Sequence, residues 1–456
     1  MPEGYRNAGD VELKTLTLVT NAGLQIDLLK LFREWSVYQD MFSHYLQTDI
    51  LIFDAAGTLN AIGGITGGEL IIISYRTGGP NDKTKYKTHV FGVTEISNRQ
   101  TVDEKNEIYI LSGVSIESYQ TIDSKVSRAY GHPQPTLVSQ MIDSVTKEFM
   151  RKPLEPLYSE LSSTLKYKIS KTYDIEETKN RQKFVIPNMR IDDTIDYLCR
   201  ESISDKPVSH FVFWEDAEKF NFKDLNTLVS QEPRYTFSYA PSNYDEGNNN
   251  AKEEYTDPLK IINYNVEKES SLFDNIMGGL YKTKTVSIDI QRKKKTETIY
   301  DYSKIYEKFN KLQPYSVFGT SKDTAIVELN TTRSGHDSDI FFALENHIPN
   351  KTYQNKPKRR SFFKHISNKV LSVSIPGNSE VLAGDVVYLS IPPATNIDGV
   401  AKKEDKYLSG KYLVTKVRHK HIEENFTTFL ECIKDTGVEG KQPRIQPSQS
   451  KVVPRG

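Results

Sequence analysis

Between Leu371 and Asp435 the chain alternates apolar and polar side chains with the period of half-buried strands. In LSVSIPG, Leu371, Val373 and Ile375 alternate with Ser372 and Ser374. Gly384-Asp385 marks a turn before VVYLSIP, where Val387, Leu389 and Ile391 share one face. SGKYLVTKVRHKHI resumes as a long strand with Leu413, Thr415 and Val417 on one side, and NFTTFLECIKD answers it. The segment therefore predicts an antiparallel meander that closes a sheet or a small barrel.

The same period recurs at the other end of the chain. VELKTLTLVT, DILIFDAAGT, GELIIISYRTG, KTHVFGVTEISNRQ and NEIYILSGVS predict at least five strands, with the GGITGGE glycines serving a tight hairpin reversal. LLKLFREWS fits either a helical turn or a bulged strand. The period then changes. PTLVSQMIDSVTKEFM places Val138, Met141, Ile142, Val145 and Phe149 on one helical face with Thr136 as its cap, and MRIDDTIDYLCRESI repeats Ile191, Ile195, Leu198 and Cys199 at helical spacing. HFVFWEDAEKFNFKDL reads as a hairpin whose tip carries Glu215, Asp216 and Glu218. Strands return at EPRYTFSYAPS, KIINYNVEKE and KTKTVSIDIQRK; SSLFDNIMGG, DYSKIYEKFNKLQ and the basic KPKRRSFFKHISNK read as helices, and Asn330–Gln354 as a long excursion.

Composition narrows the functional classes. A chain of 456 residues exceeds the ~250 that one core usually holds, and its 60 basic and 60 acidic side chains cancel. That balance argues against tight nucleic-acid clamping, though not against a neutral channel. Cys199 and Cys432 are too few for a disulfide framework and read as buried free thiols. MPEGYRNAGD lacks a signal-peptide pattern, and no run approaches the ~18 apolar residues of a membrane span. Folding in a cytoplasm is the expectation.

Candidate chemistry is sparse. His419 and His421 lie on one side of a strand with no third ligand nearby, and read as solvated or interface histidines rather than a zinc site. His336-Asp337-Ser338-Asp339 reads as a polar loop, since catalytic partners converge in space and not in adjacent positions. Asp192 and Asp193 suit a helix N-terminus better than a glycosidase pair. Gly63, Gly64, Gly67 and Gly68 precede a strand, where a phosphate loop would open a helix. The basic clusters, Lys293–Lys295 and Lys356, Lys358, Arg359 and Arg360, read as solvated faces. No catalytic, cofactor or metal site is assigned.

Four segments carry a resemblance: GELIIISYRT with THVFGVTEIS and NEIYILSGVSIESY; KFVIPNMRIDDTIDYLCRESI; HFVFWEDAEKFNFKDLNTLVSQEP; and LAGDVVYLSIP with YLSGKYLVTKVRHKH. In this order they resemble the central baseplate hub protein of contractile-tailed bacteriophages of the T-even type. The resemblance implies a mainly β chain with two tail-tube-like antiparallel β-barrel domains, decorated by helical and mixed α/β parts. Mapped here, residues 1–10 are an N-terminal arm, 11–119 the first tube-like domain and 120–232 a mixed domain. Residues 233–266 with 369–436 form the second tube-like domain, 267–368 an insertion and 437–456 a flexible tail. It further implies a virion protein, assembled in the host cytoplasm. Its expected partners are itself as a homotrimer, a trimeric and often lysozyme-bearing central spike, a tail-tube or tube-initiator protein, other baseplate proteins, and DNA passing unbound through the channel.

Two other readings compete: a tail hydrolase of cell-wall glycan using carboxylates from the Glu215 hairpin or the Asp337 loop, and a hexameric tube-initiator or adaptor of the same fold. NYDEGNNNAKEE and Thr331–Lys358 depart from the T-even pattern as additions. The Pro- and Gln-rich tail is expected to order on assembly, so Gln442–Arg455 should resist protease only when the tail partner is present; equal cleavage with and without it would refute this.

Overall fold

The computed structural model describes residues 8–435 apart from 56, 58–63, 78–84, 104–105, 132–133, 166–170, 240–257, 290–292, 313–323, 325, 333–351, 394–403 and 424. Seven strands lie between Val11 and Ser115. In sheet order they are Gln25–Asp27, Val11–Val19, Leu70–Thr77, Lys87–Thr101, Glu107–Ser115, Gln47–Asp54 and Phe32–Asp40. LLKLFREWS is the bulged strand of its two alternatives, with the register shifting between Phe32 and Glu34. The glycine loop is not the expected hairpin connection. Its flanking strands, Gln47–Asp54 and Leu70–Thr77, are separated by two others in the sheet and are not hairpin neighbours. Gly67 and Gly68 supply the left-handed backbone there, at φ +97 and +88, and the Glu69 carboxylate accepts the Thr66 and Gly67 amides, each at 2.8 Å.

The ladder continues into residues far along the chain. Phe32–Asp40 pairs antiparallel with Gly410–Ile422, from Lys416 opposite Asp40 to Ile422 opposite Glu34. Beyond it follow Asn425–Lys434, Lys369–Pro376 and Asn263–Lys268, and Val386–Ser390 with Tyr235–Ser238 extends the other half of Gly410–Ile422, making one 13-stranded sheet. The mainly β architecture with α/β insertions is thus the one the alternation predicts.

Each period buries its own core. Leu16, Trp35, Ile50, Ile73, Tyr75, Phe91 and Leu111 pack beneath the first seven strands, joined by Phe426. Leu371, Val373, Ile375, Val387, Leu389, Leu413 and Val417 form a second core, completed by Tyr300, Phe309 and Phe362. The helical faces of Val138–Thr146 and Ile191–Glu201 form a third against Phe211, Phe213, Phe220 and Phe222. Two local expectations fail. Thr136 does not cap its helix, because it is held in a short strand opposite Gln182 and Leu137 precedes the first turn. DYSKIYEKFNKLQ forms two 3-10 turns, Tyr302–Lys304 and Tyr306–Lys308, in place of a helix; Tyr302 and Phe309 both face the core, a spacing of seven that two short turns also satisfy.

The aromatic hairpin Phe211–Glu215 and Lys219–Asp224 stitches two cores together, because alternation sends Phe211 and Phe213 into the third and Val212 and Trp214 into the second. The Trp214 indole N–H donates to the Ala383 carbonyl at 3.1 Å. Gly384, the glycine of the turn recognised in the sequence, has φ +98, and a Cβ there would meet Trp214 Cζ2 at 2.7 Å. Gly384→Ala combines left-handed strain with overpacking, so it should cost about 2–4 kcal/mol. A shift of the urea midpoint at unchanged slope reads this, and an unchanged midpoint would refute it.

Candidate functional site

Where one face of the large sheet buries these cores, the other is polar across the strands from Gln47–Asp54 to Asn263–Lys268, whereas behind Leu70–Thr77 and Lys87–Thr101 it buries Ile72 and Val90 against Leu154 and Leu161 of helix Lys152–Leu165. Alternation on Phe32–Asp40 turns Trp35 and Val37 inward and Glu34, Ser36, Tyr38 and Asp40 outward. On Gly410–Ile422 the outward set is Lys416, Arg418 and Lys420; on Asn425–Lys434 it is Thr427, Phe429 and Glu431; on Lys369–Pro376, Ser372 and Ser374. Register lines these residues up in rows. One row runs Gln47, Tyr38, Arg418, Phe429, Ser374, Asn263, and the next runs Asp40, Lys416, Glu431, Ser372, Asn265. The rows floor an open cleft of about 450 Å³ between strands from both ends of the chain.

The cations of this face are engaged. Lys420 lies 2.8 Å and Arg418 3.5 Å from Glu34, and Lys416 lies 3.0 Å from Glu431 and 4.0 Å from Asp40. Arg418 also stacks over Tyr38, at 5.1 Å, and Phe429, at 6.0 Å. Burial raises the Asp40 and Tyr38 pKa values. This row of charges escaped the sequence reading because alternation disperses it: Lys416, Arg418 and Lys420 never stand side by side.

The two histidines point the opposite way. His419 and His421 are buried in the first core, not solvated. His421 stacks on Trp35 and His419 on Phe426, and the His419 ring meets Thr428 Oγ1 at 3.1 Å and Gln39 Nε2 at 3.5 Å. Burial, with Lys87 nearby, pushes His419 down to about 3, and burial lowers His421 as well. His89 is buried beside Tyr75 and Phe91, and neither of its ring nitrogens meets a hydrogen-bond partner among the described residues. Among those residues no cluster of three or more His, Cys, Asp and Glu could hold a metal. Both cysteines are buried free thiols.

The acidic hairpin tip is occupied internally. The fully buried Glu215 carboxylate pairs with the Lys171 ammonium, accepts the Leu46 amide at 3.0 Å and accepts the Ser115 hydroxyl at 2.9 Å. Glu117 lies 3.7 Å from the same ammonium and accepts the Tyr158 hydroxyl at 2.5 Å. Asp216 holds the turn by accepting the Glu218 and Lys219 amides at 2.7 and 2.9 Å. Glu218 reaches Lys87, which Glu380 meets from the other side at 3.1 Å. Three regions of the chain are thus pinned at one lysine.

Asp192 and Asp193 do stand in a first helical turn, but Asp192 also accepts the Tyr45 hydroxyl at 2.6 Å, and with Asp196 it flanks His44. Burial pulls the His44 pKa down, yet hydrogen bonds to both carboxylates outweigh it and hold it at about 9. Lys293 and Lys295 are exposed, as a solvated face should be. Of the other basic cluster, Lys356 is exposed, while Lys358, Arg359 and Arg360 are half-buried on helix Thr352–Ile366. The His336–Asp339 loop, Gly63 and the C-terminal tail lie outside the described residues. No described helix is long and apolar enough to cross a membrane.

No family model matches the chain. By sequence it is similar to a probable baseplate hub protein of Vibrio phage KVP40, 23% identical over 273 residues; the match takes in 58% of this chain and 62% of that protein. By structure it is similar to a tail protein of Neisseria meningitidis MC58, with a TM-score of 0.53, 9% identity and coverage of 94% and 97% of the two chains. It is also similar to the 43 kDa tail protein of prophage MuSo2 from Shewanella oneidensis, at a TM-score of 0.51, 8% identity and coverage of 93% and 98%. The fold is therefore that of tail proteins, and the resemblance to baseplate hub proteins extends to a relative so described.

The neutral histidines set an acid limit. An unfolded His419 takes up its proton near 6.5 and the folded one only near 3, so its contribution is intact above 6.5 and is lost as pH falls below it. By pH 4.5 this one residue removes about 3 kcal/mol. Urea midpoints should fall steeply between pH 6.5 and 4.5, and His89→Phe should make that fall shallower by deleting a second such site. An equal slope in variant and wild type would refute the assignment.

Proposed function

We propose that the chain is the structural hub of a contractile phage-tail baseplate. In this reading three copies close into a pseudo-sixfold ring that joins a trimeric central spike, often lysozyme-bearing in such tails, to a hexameric tail tube. Residues 11–119 supply one tube-like unit of each copy, and residues 233–266 with 369–436 the other. The parts at 120–232 and 267–368 decorate the ring. The protein resides in the virion and is assembled in the host cytoplasm.

The observation that carries the reading is the polar face, which runs without a break across strands from both units. A face this wide, built from Ser, Asn and paired charges, suits a water-filled channel better than a packed interface, whose centre is usually depleted of charge. Among the described residues the sheet also leaves backbone edges open, at Asn263–Lys268 and along the first half of Val11–Val19. Open edges promote uncontrolled pairing unless another chain covers them, and a closed ring covers each with the next copy. The tail-protein fold and the baseplate-hub relative favour the same conclusion.

The buried position of one candidate carboxylate supports a non-enzymatic role; the other, Asp337, lies outside the described residues. Glu215, the candidate acid of the hydrolase reading, is enclosed with Lys171 and Ser115 and has no path to a glycan.

Light scattering of the purified chain, alone and with a candidate spike protein, should give a trimer, and electron-microscope class averages should show a central opening. Any lysis should come with the spike and survive Glu215→Gln. A persistent monomer with muralytic activity of its own would overturn the proposal, and a hexamer would favour the tube-initiator reading.

A further inference from the structure

The cations on the polar face raise a physical problem for a channel that carries DNA. Free lysines and arginines lining a lumen would bind phosphates and release their counterions, a gain that grows with each contact. The duplex would then be held where it must slide. Here, however, each outward cation of Gly410–Ile422 meets a carboxylate supplied by a neighbouring strand. From the Phe32–Asp40 side Glu34 takes Lys420 and Arg418 and Asp40 stands 4.0 Å from Lys416, while Glu431 takes Lys416 at 3.0 Å from the other side.

Stability does not account for the Lys416 and Arg418 pairs, although the Lys420–Glu34 pair, with side chains 23% and 25% exposed, is better shielded. The side chains of Lys416 and Arg418 are 48% and 37% exposed, and those of Glu34 and Glu431 25% and 26%. Ion pairs this wet contribute little to folding. What the pairs change is the field at the surface: the face presents bound cations and a carboxylate beside each.

We infer that Glu34 and Glu431 act as charge clamps that keep the lumen face from gripping nucleic acid. This rests on the ring reading for its biological meaning, but the clamp itself is a property of the sheet face. Removing the two carboxylate charges frees Lys416, Arg418 and Lys420 to meet phosphates, three per chain and again in each copy of the ring.

The test uses the full-length chain and a short fluorescent DNA duplex, followed by anisotropy at ~50 mM salt and again at ~0.5 M. The wild type should bind weakly. Glu34→Gln/Glu431→Gln should bind at least tenfold more tightly at the lower salt, and the gain should disappear at the higher. Adding Lys416→Gln, Arg418→Gln and Lys420→Gln should abolish it. The single variants Glu34→Gln and Glu431→Gln, each checked for unchanged thermal unfolding, should give intermediate gains. Unchanged affinity in the double variant, or wild-type binding already as tight, overturns the clamp in any oligomeric state. Light scattering of the same samples separates the two ideas: a monomer refutes the ring, whereas a trimer without the gain refutes the clamp alone.

Discussion

The strand Gly410–Ile422 belongs to two hydrophobic cores at once, and most of the architecture depends on that. Its first half pairs with Val386–Ser390 and sends Leu413 and Val414 into the second core, which Val417 joins from beyond the bulge. Its second half pairs with Phe32–Asp40 and stacks His419 and His421 against Trp35, Tyr75 and Phe426 of the first. A bulge between Val414 and Lys416 marks the change of neighbour. Bulges bend a strand and increase its twist, which is what a strand passing from one core to the next requires. Because side chains alternate strictly, each residue committed inward fixes its neighbour outward. From Gln47–Asp54 to Asn263–Lys268 the reverse of the two cores is the polar face, its rows kept in line by the backbone ladder that joins them; behind Leu70–Thr77 and Lys87–Thr101 the reverse is apolar and covered by helix Lys152–Leu165.

Ion pairs recur at three depths in this molecule, and depth decides what each does. The Glu215 carboxylate, paired with Lys171, is wholly inside, and there the amide of Leu46 and the hydroxyl of Ser115 are essential to it, since a buried charge without full hydrogen bonding is strongly destabilising. Lys87, with a side chain only 5% exposed, joins the hairpin and the Glu380 loop to the first sheet. The pairs of Lys416 and Arg418 are wetter, contribute little to folding, and act on whatever approaches the surface.

Local structure was legible wherever one period persisted. The Leu371–Ile375 alternation gave both the strand and its inward side, and the Ile191–Cys199 spacing gave the helix and its buried face. The histidines were misjudged although the signal was present: Val417, His419 and His421 share parity, so a strand with Val417 inward must carry both histidines inward. Residue chemistry was weighed above position. Other features had no local signal. That Phe32–Asp40 pairs with Lys416–Ile422 is a matter of register between stretches almost a chain length apart, and no window of sequence holds both partners. The glycine loop failed for a related reason, because flexibility marks a connection without saying whether the strands it joins are neighbours.

The same limit explains why the polar face could be anticipated as a kind of surface but not located. Alternation yields two faces and names neither as the buried one. The choice is made by what covers each face, which in this fold means the side chains of four separate segments of chain meeting beneath one sheet. Once Trp35, Val37, Val417, His419 and Leu430 are seen to be inside, Glu34, Arg418, Phe429 and Glu431 have nowhere to point but out, and the pairing of their charges follows from a register that the cores had already set.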